Sequence, residues 1–220
     1  MKKTVTIVYF PGTNSHRESA RAFTRVGLDP RIVFMSDVLA GRDRIDSSDV
    51  LLLPGGFAFG DHMGAGTIPG QLLAHSAGDQ LAACRKRPIL AVCNGFQIAV
   101  RAGLFGDGLS LADNTCGTFR NITNQPHEFD RENPSPWLEG LRGRTLRFPC
   151  AHGEGRLLFS QRDTWRTAVR YPANDNPDGT TENITGITTA DGLVLGLMNH
   201  PERWMHDEAN LELFANAKRF

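Results

Sequence analysis

The chain has 220 residues, with 24 Lys and Arg balanced by 24 Asp and Glu, a length that suits one large α/β domain or two small ones. The balanced charge offers no basic field for nucleic acid and no basic face for a membrane surface, and nothing approaches the ~20 apolar residues of a membrane-spanning helix. The apolar run in the opening "MKKTVTIVYFPG" is too short for a signal-peptide core, so a soluble cytoplasmic protein is expected.

Thr4 to Phe10, "TVTIVYF", reads as a first buried strand, and "HRESARAFTRVG" follows with helical spacing and closes on Gly27 as its C′ glycine. "PRIVFM" is a second strand, and "DVLLLPGG" a third that ends at Pro54-Gly55-Gly56. A glycine-laden loop, "FAFGDHMGAGTIPG", leads into a helix through "QLLAHSAGDQLAACRKR". "PILAV" is a fourth buried strand, and after Cys93 comes a short helix, "GFQIAVRAG". From about Asn114 to Cys150 the pattern loosens into polar, Pro- and Asn-containing sequence, read as an irregular connection with hairpins. Regularity returns at "TAVRY", then as a hairpin, "NITGITT-AD-GLVLGLM", turning near Asp191-Gly192. Its last strand runs directly into Asn199-His200-Pro201-Glu202-Arg203.

The order β-α-β-β-α-β-α predicts an α/β fold: a doubly wound, mostly parallel sheet flanked by helices, with its crevice beyond the carboxyl ends of the strands. Three loops meet that description: Phe10 to Asn14, Pro54 to Phe57, and Cys93 itself. With no internal repeat or low-complexity linker, residues 1–220 are expected to form a single domain.

Cys84, Cys93, Cys116 and Cys150 contain no CxxC pair, and no secretory signal accompanies them, so neither a metal site nor a disulfide framework is expected. Cys93 differs from the others in its place. A nucleophile on a tight strand-to-helix turn needs small residues two positions either side, and these are Ala91 and Gly95. The amino terminus of the following helix would favour a thiolate there. A small core residue remains the alternative reading. His200 and Glu202 flank one proline, so in an extended segment they share a face, and the carboxylate can hold the imidazole in one tautomer. His152 and Glu154 repeat the i, i+2 spacing around a flexible glycine, without a comparable apolar strand feeding them. They rank second as a dyad and as possible lining of the site. An oxyanion needs two N–H donors: that of Asn94 follows the nucleophile, and Pro54-Gly55-Gly56 can supply the other. "GAGTIPG" has its last glycine one residue too late for a dinucleotide fingerprint, and there is no GxxxxGK[ST] phosphate cradle.

"VCNGFQ", "PGGFAFGD" and the late "HPER" together resemble the triad (class I) glutamine amidotransferases, whose fold is flavodoxin-like with a nucleophile elbow. More narrowly, with "PCAHGEGRLL", "YPANDNPDGTTENITGIT" and "VLGLMNHPER", nearly the whole chain resembles the glutaminase-subunit branch of the phosphoribosylformylglycinamidine synthases of purine biosynthesis. The resemblance implies that Cys93 attacks the glutamine side-chain amide, with His200 as base and then acid and Glu202 orienting it. It further implies Gly56 and Asn94 as oxyanion donors and Gln97 as a residue that helps hold glutamine. The implied partners are a large synthetase subunit, which receives the ammonia, and a small accessory subunit. ATP and Mg are expected on the synthetase, and no cofactor on this chain. Two departures stand out. The family usually carries an Arg-Trp-Val-type strand where this chain reads "NTCGTFRNITNQPHEF", and it commonly has glycine at the position of Ala91. The rival readings are a cysteine-elbow hydrolase or chaperone-like protein of the same fold, and a catalytically silent docking module. The first would need neither His-Pro-Glu nor Gln97, and the second would need no intact triad.

Overall fold

Four aliphatic runs of the N-terminal half lie side by side. The computed structural model describes residues 2–203 and 207–220. In it β1 (Thr4–Tyr9), β2 (Asp29–Phe34), β3 (Val50–Leu53) and β4 (Ile89–Val92) take the order β2-β1-β3-β4, with every ladder parallel. β3 and β4 are buried along their full length, as unbroken aliphatic strands covered on both faces are. The crossovers use α1 (His16–Arg25), α2 (Met35–Leu39), α3 (Thr67–Gln71) and α4 (Gly78–Cys84), and α5 (Asn94–Arg101) leaves β4. Two boundaries differ from the sequence expectation. Met35, read as the end of a strand, opens the short helix α2. α3 opens inside the stretch expected to be loop up to Gly70, and the single helix expected from Gln71 is broken by a π-helical turn over Leu72–Ser76 and by Ala77, whose φ of −123° leaves the helical region. Gly78, a poor helix former, follows directly.

The C-terminal half contributes β5 (Leu109–Ala112), β6 (Arg120–Phe129), β7 (Thr145–His152), β8 (Arg156–Phe159), β9 (Trp165–Arg170), β10 (Ile184–Thr189), β11 (Val194–Leu197) and α6 (Glu208–Ala215). β11 returns to pair parallel with β4. It completes a five-stranded parallel core, β2-β1-β3-β4-β11, which continues through β10, β9, β6 and β7 as an antiparallel wing. β5 and β8 form a separate two-stranded ribbon. The segment expected to be irregular from Asn114 to Cys150 therefore holds two long strands. A register shift between Ile122 and Gln125 interrupts the β6 alternation, and Pro126 follows. A bulge and a strand proline remove the period-two signature by which a strand is read.

All five core strands run the same way, so the loops after β1, β3, β4 and β11 emerge at one edge. That edge brings Phe10–Asn14, Pro54–Phe57, Cys93 and His200 together.

Candidate active site

Cys93 sits between β4 and α5 with φ 52° and ψ −113°, a left-handed setting that costs a non-glycine residue about 1–2 kcal/mol. The turn is pinned from both sides. The Cys93 N–H donates to Leu197 O at 2.7 Å, and its carbonyl accepts from the N–H groups of Phe96 (2.8 Å) and Gln97 (3.1 Å). A Cβ at Gly95 would lie 1.8 Å from Leu53 O, so only glycine lets α5 start this close to β3. Ala91 is buried in register with Leu53 and Gly196, and its methyl is accommodated where the family commonly has glycine.

His200 leaves β11 and donates its N–H to Pro149 O at 2.9 Å, which ties it to β7. Its Nδ1 lies 2.6 Å from Glu202 Oε1, and both side chains are buried. Pro201 and Glu202 lie in a 3₁₀ turn, Pro201–Arg203, rather than in the extended segment expected, and that turn brings the carboxylate to the imidazole. The other ring nitrogen, Nε2, has no hydrogen-bond partner among the described residues. Gly55 lies against both members of the couple: a Cβ there would fall 2.7 Å from His200 Cε1 and 3.3 Å from the Cys93 Cβ. Burial pulls the His200 imidazole down, but the charges of Cys93 and Glu202 outweigh it and raise the pKa from 6.5 to about 9.

The backbone N–H groups of Gly56 and Asn94 have no acceptor among the described residues. Asn94 opens α5, where the helix dipole favours negative charge. The Gly56 loop is fixed by Asn14 and Ser15 N–H groups on Gly55 O (3.3 and 3.0 Å) and by Phe57 N–H on Gly12 O (3.0 Å). A Cβ at Gly56 would lie 2.7 Å from Thr13 Cα. Arg203 reaches back to Ser15 Oγ at 2.9 Å.

Beside Cys93 opens a cleft of about 110 Å³, lined by Gly56, Phe57, Asp61 and Ala65, by Gln97 and Phe119, and by Ala151 to Glu154. The Phe57 and Phe119 rings, 6.1 Å apart, face each other across its mouth. One wall is a hydrogen-bonded unit. Asn94 Nδ2 donates to Asp61 Oδ1 (3.0 Å) and Gln97 Oε1 (2.9 Å), while its Oδ1 accepts from Ala58 N–H at 3.0 Å. Gln97 Nε2 donates to Glu154 O at 2.8 Å. One donor and one acceptor of the Gln97 amide thus fix the wall that it lines, and a second of each is left over.

His152 and Glu154 line the same cleft but do not pair with each other. Glu154 Oε2 accepts from Ala65 N–H at 3.0 Å. His152, at the end of the eight-residue β7 rather than without a feeding strand, turns Nε2 to Asn199 Oδ1 (3.2 Å) and Cys150 Sγ (3.3 Å). Burial, helped by the charge of His200, lowers its pKa to about 4, so it is neutral at pH 7. Of the four cysteines only Cys93 lines the cleft. Burial pushes Cys84 and Cys150 up to about 12, and Cys116 is exposed. Gly66 of "GAGTIPG" serves packing, since a Cβ there would lie 2.5 Å from Gln97 C. Asp61 and Phe119 were not singled out in the sequence. Neither has a partner at a recognisable spacing, and only the fold brings them to Cys93.

The model of the CobB/CobQ-like glutamine amidotransferase domain matches residues 2–218. A relative from Haloquadratum walsbyi, phosphoribosylformylglycinamidine synthase subunit PurQ, is 33% identical over 217 residues, covering 91% of each chain. Its namesake from Synechococcus sp. is 34% identical over 203 residues, covering 90% of this chain and 89% of its own. Among solved structures, PurLQS from Thermotoga maritima matches with a TM-score of 0.84 at 29% identity, covering 100% of this chain and 99% of that one. A glutamine amidotransferase from the same organism shares the fold, with a TM-score of 0.61 at 14% identity over 100% of this chain and 97% of its own. Matched over nearly its whole length, the chain belongs to the CobB/CobQ-like glutamine amidotransferases.

Proposed function

We propose that the chain is the glutaminase subunit of a phosphoribosylformylglycinamidine synthase, a single amidotransferase domain over residues 1–220 that supplies ammonia for purine biosynthesis. The observation that carries the reading is Cys93 strained at a strand-to-helix turn, beside a His200 whose Nδ1 is held 2.6 Å from Glu202. Cys93 Sγ attacks Cδ of the glutamine side-chain amide. The N–H groups of Gly56 and Asn94 donate to the oxygen as it becomes an oxyanion, an interaction of about 3–4 kcal/mol per donor in well-formed sites. Nε2 of His200 gives its proton to the amide nitrogen, the C–N bond breaks, and ammonia leaves a γ-glutamyl thioester on the sulfur. Nε2 then takes a proton from water as that water attacks the thioester, and glutamate departs as the thiolate re-forms. Glu202 keeps Nδ1–H engaged through both steps, so the lone pair and the proton always exchange at Nε2.

The name of the Thermotoga maritima assembly, PurLQS, supports a large synthetase subunit and a small accessory subunit as partners of this chain. ATP and Mg act on that synthetase, and this chain carries no cofactor of its own. The setting is cytoplasmic; no helix among the described residues is long and apolar enough to cross a membrane. In the complex reconstituted with its synthetase, Cys93→Ala abolishes glutamine-dependent amidination and retains the reaction driven by free ammonia. His200→Ala loses more glutaminase activity than Glu202→Gln, which still positions the ring but no longer balances its charge. Loss of the ammonia-driven reaction in Cys93→Ala would instead assign Cys93 to assembly.

A further inference from the structure

An oxyanion hole depends on which way a peptide plane faces. The N–H of Gly56 belongs to the same planar unit as the Gly55 carbonyl, and in a trans peptide the two point in opposite directions. Gly56 lies opposite Thr13 in an isolated antiparallel bridge. That bridge is flanked by hydrogen bonds from Asn14 N–H to Gly55 O (3.3 Å) and from Phe57 N–H to Gly12 O (3.0 Å). A residue so placed turns its own N–H away from the opposing segment, and Gly56 lines the cleft beside Cys93. Ser15 N–H adds a second bond to Gly55 O at 3.0 Å. The donors that hold the Gly55 carbonyl back therefore hold the Gly56 N–H forward. With glycine on both sides of this plane, the torsions that would flip it meet little steric resistance. Its orientation has to come from those donors.

Asn14 and Ser15 are gripped in turn by the segment that carries the base. Arg203 ends the 3₁₀ turn after His200, its N–H 3.3 Å from His200 O. Its guanidinium Nη2 donates to Ser15 Oγ at 2.9 Å and reaches Asn14 Oδ1 at 3.4 Å. Ser15 Oγ donates to Asn14 Oδ1 at 3.2 Å, which closes a triangle of side chains. Ser15 stands at the N-cap of α1, where a serine oxygen ordinarily accepts from the first helical turn. Here it makes no such bond, and the hydroxyl is turned to Arg203 instead. The same Oγ would lie 3.3 Å from a Cβ at Gly55, the residue packed against both Cys93 and His200.

We propose that Arg203 is a positioning residue for the oxyanion hole. Through Ser15 and Asn14 it fixes the Gly55–Gly56 peptide with the Gly56 N–H facing the substrate oxygen, and it ties that hole to the turn that carries His200. The proposal rests on the glutaminase reading and adds the residue that keeps base and hole in step. Arg203 acts at one remove from the reacting atoms. Its effect is felt when charge develops on the oxygen, in kcat rather than in KM.

The test uses the complex assembled with its synthetase. Arg203→Ala is expected to lower kcat for ammonia release from glutamine roughly 10- to 50-fold with KM little changed, less than the loss of a whole oxyanion donor. Ser15→Ala loses a similar factor, and the double variant falls no further than the worse single one, because both break one chain of bonds. Arg203→Lys, which keeps a donor for Ser15 Oγ, recovers most of the loss. Iodoacetamide consumes the Cys93 thiolate without making an oxyanion, so alkylation keeps its parental rate and pH profile in every variant. Unchanged kcat in Arg203→Ala, losses that multiply in the double variant, or alkylation that slows in step with kcat overturns the proposal. So does loss of the ammonia-driven reaction, which would make Arg203 a contact of the synthetase. A parent complex that amidinates with free ammonia but never releases ammonia from glutamine overturns the glutaminase reading itself.

Discussion

At Cys93 the backbone takes φ 52°, an angle that glycine adopts freely and cysteine does not. Removing the side chain beyond Cβ leaves the strain in place, and removing Cβ relieves it. Cys93→Gly is therefore expected to be more stable than Cys93→Ala by about 1 kcal/mol, the reverse of the usual order, as read from urea unfolding of the two inactive proteins. Equal stabilities would mean that the elbow relaxes when the thiol is gone. The position was legible in the sequence because close packing demands a small residue two places on: the 1.8 Å approach of a Gly95 Cβ to Leu53 O is the physical content of that rule. His200 and Glu202 were legible because a proline between two residues leaves little freedom. Asp61 was not. Asp61 reaches Glu154 only through a loop whose course depends on left-handed residues at Phe59, Asp61 and Met63 as well as on glycines.

Between elements, the site depends on how closely α5 lies on the sheet. Gly196 in β11 faces Phe96 in α5, and a Cβ there would fall 2.2 Å from the ring. Gly196→Ala must push α5 away from β11 or rotate a fully packed phenylalanine, which also touches Phe105 edge-on at 5.4 Å. A destabilisation of about 2 kcal/mol is expected from overpacking, with a larger relative loss of glutaminase activity because α5 carries the N–H of Asn94. Denaturant titration alongside ammonia release checks both, and a variant with parental stability and activity would show that the helix has room to move. The parallel core was readable because its strands are buried runs separated by helical periods. The hairpin β10–β11 was readable from its turn, where Gly192 has φ 75°. The β6–β7 pair was obscured by its bulge, and with it the strand that delivers His152.

Across the whole molecule, the antiparallel wing encloses a polar cluster behind His200. Asn199, the residue before His200, places Nδ2 within hydrogen-bond distance of His127 Nε2 (2.7 Å), Tyr171 Oη (2.7 Å) and Thr185 Oγ1 (2.9 Å), and Oδ1 3.2 Å from His152 Nε2. Tyr171 in turn donates to Asp178 at 2.9 Å. Burial keeps His127 and His152 neutral, with pKa values near 3 and about 4. A histidine whose folded pKa lies below its unfolded 6.5 contributes stability that is present above pH 6.5 and lost as the pH falls through the folded value. For His152 this amounts to about 3 kcal/mol between pH 7 and pH 4. Asp178, raised to about 6 by burial, works in the opposite sense: its contribution is complete below 3.8 and lost as the pH rises through 6. Comparing the parent with His152→Gln largely cancels that opposing part. The gap in unfolding free energy should close by about 3 kcal/mol in favour of the variant on going from pH 7 to pH 4. A gap that stays constant would place a charged, solvated His152 in the native state.

The sheet order also has a consequence in time. Cys93 follows β4 and His200 follows β11, its neighbour, yet all four strands of the antiparallel wing are synthesised between them. On the ribosome, the N-terminal half emerges with the apolar edge of β4 open, a template for mispairing until β11 arrives. During that interval Cys93 has neither the Leu197 carbonyl that pins its turn nor His200 beside it. Closing the edge, pinning the turn at Cys93 and bringing His200 to it are thus one event in the folding of the chain.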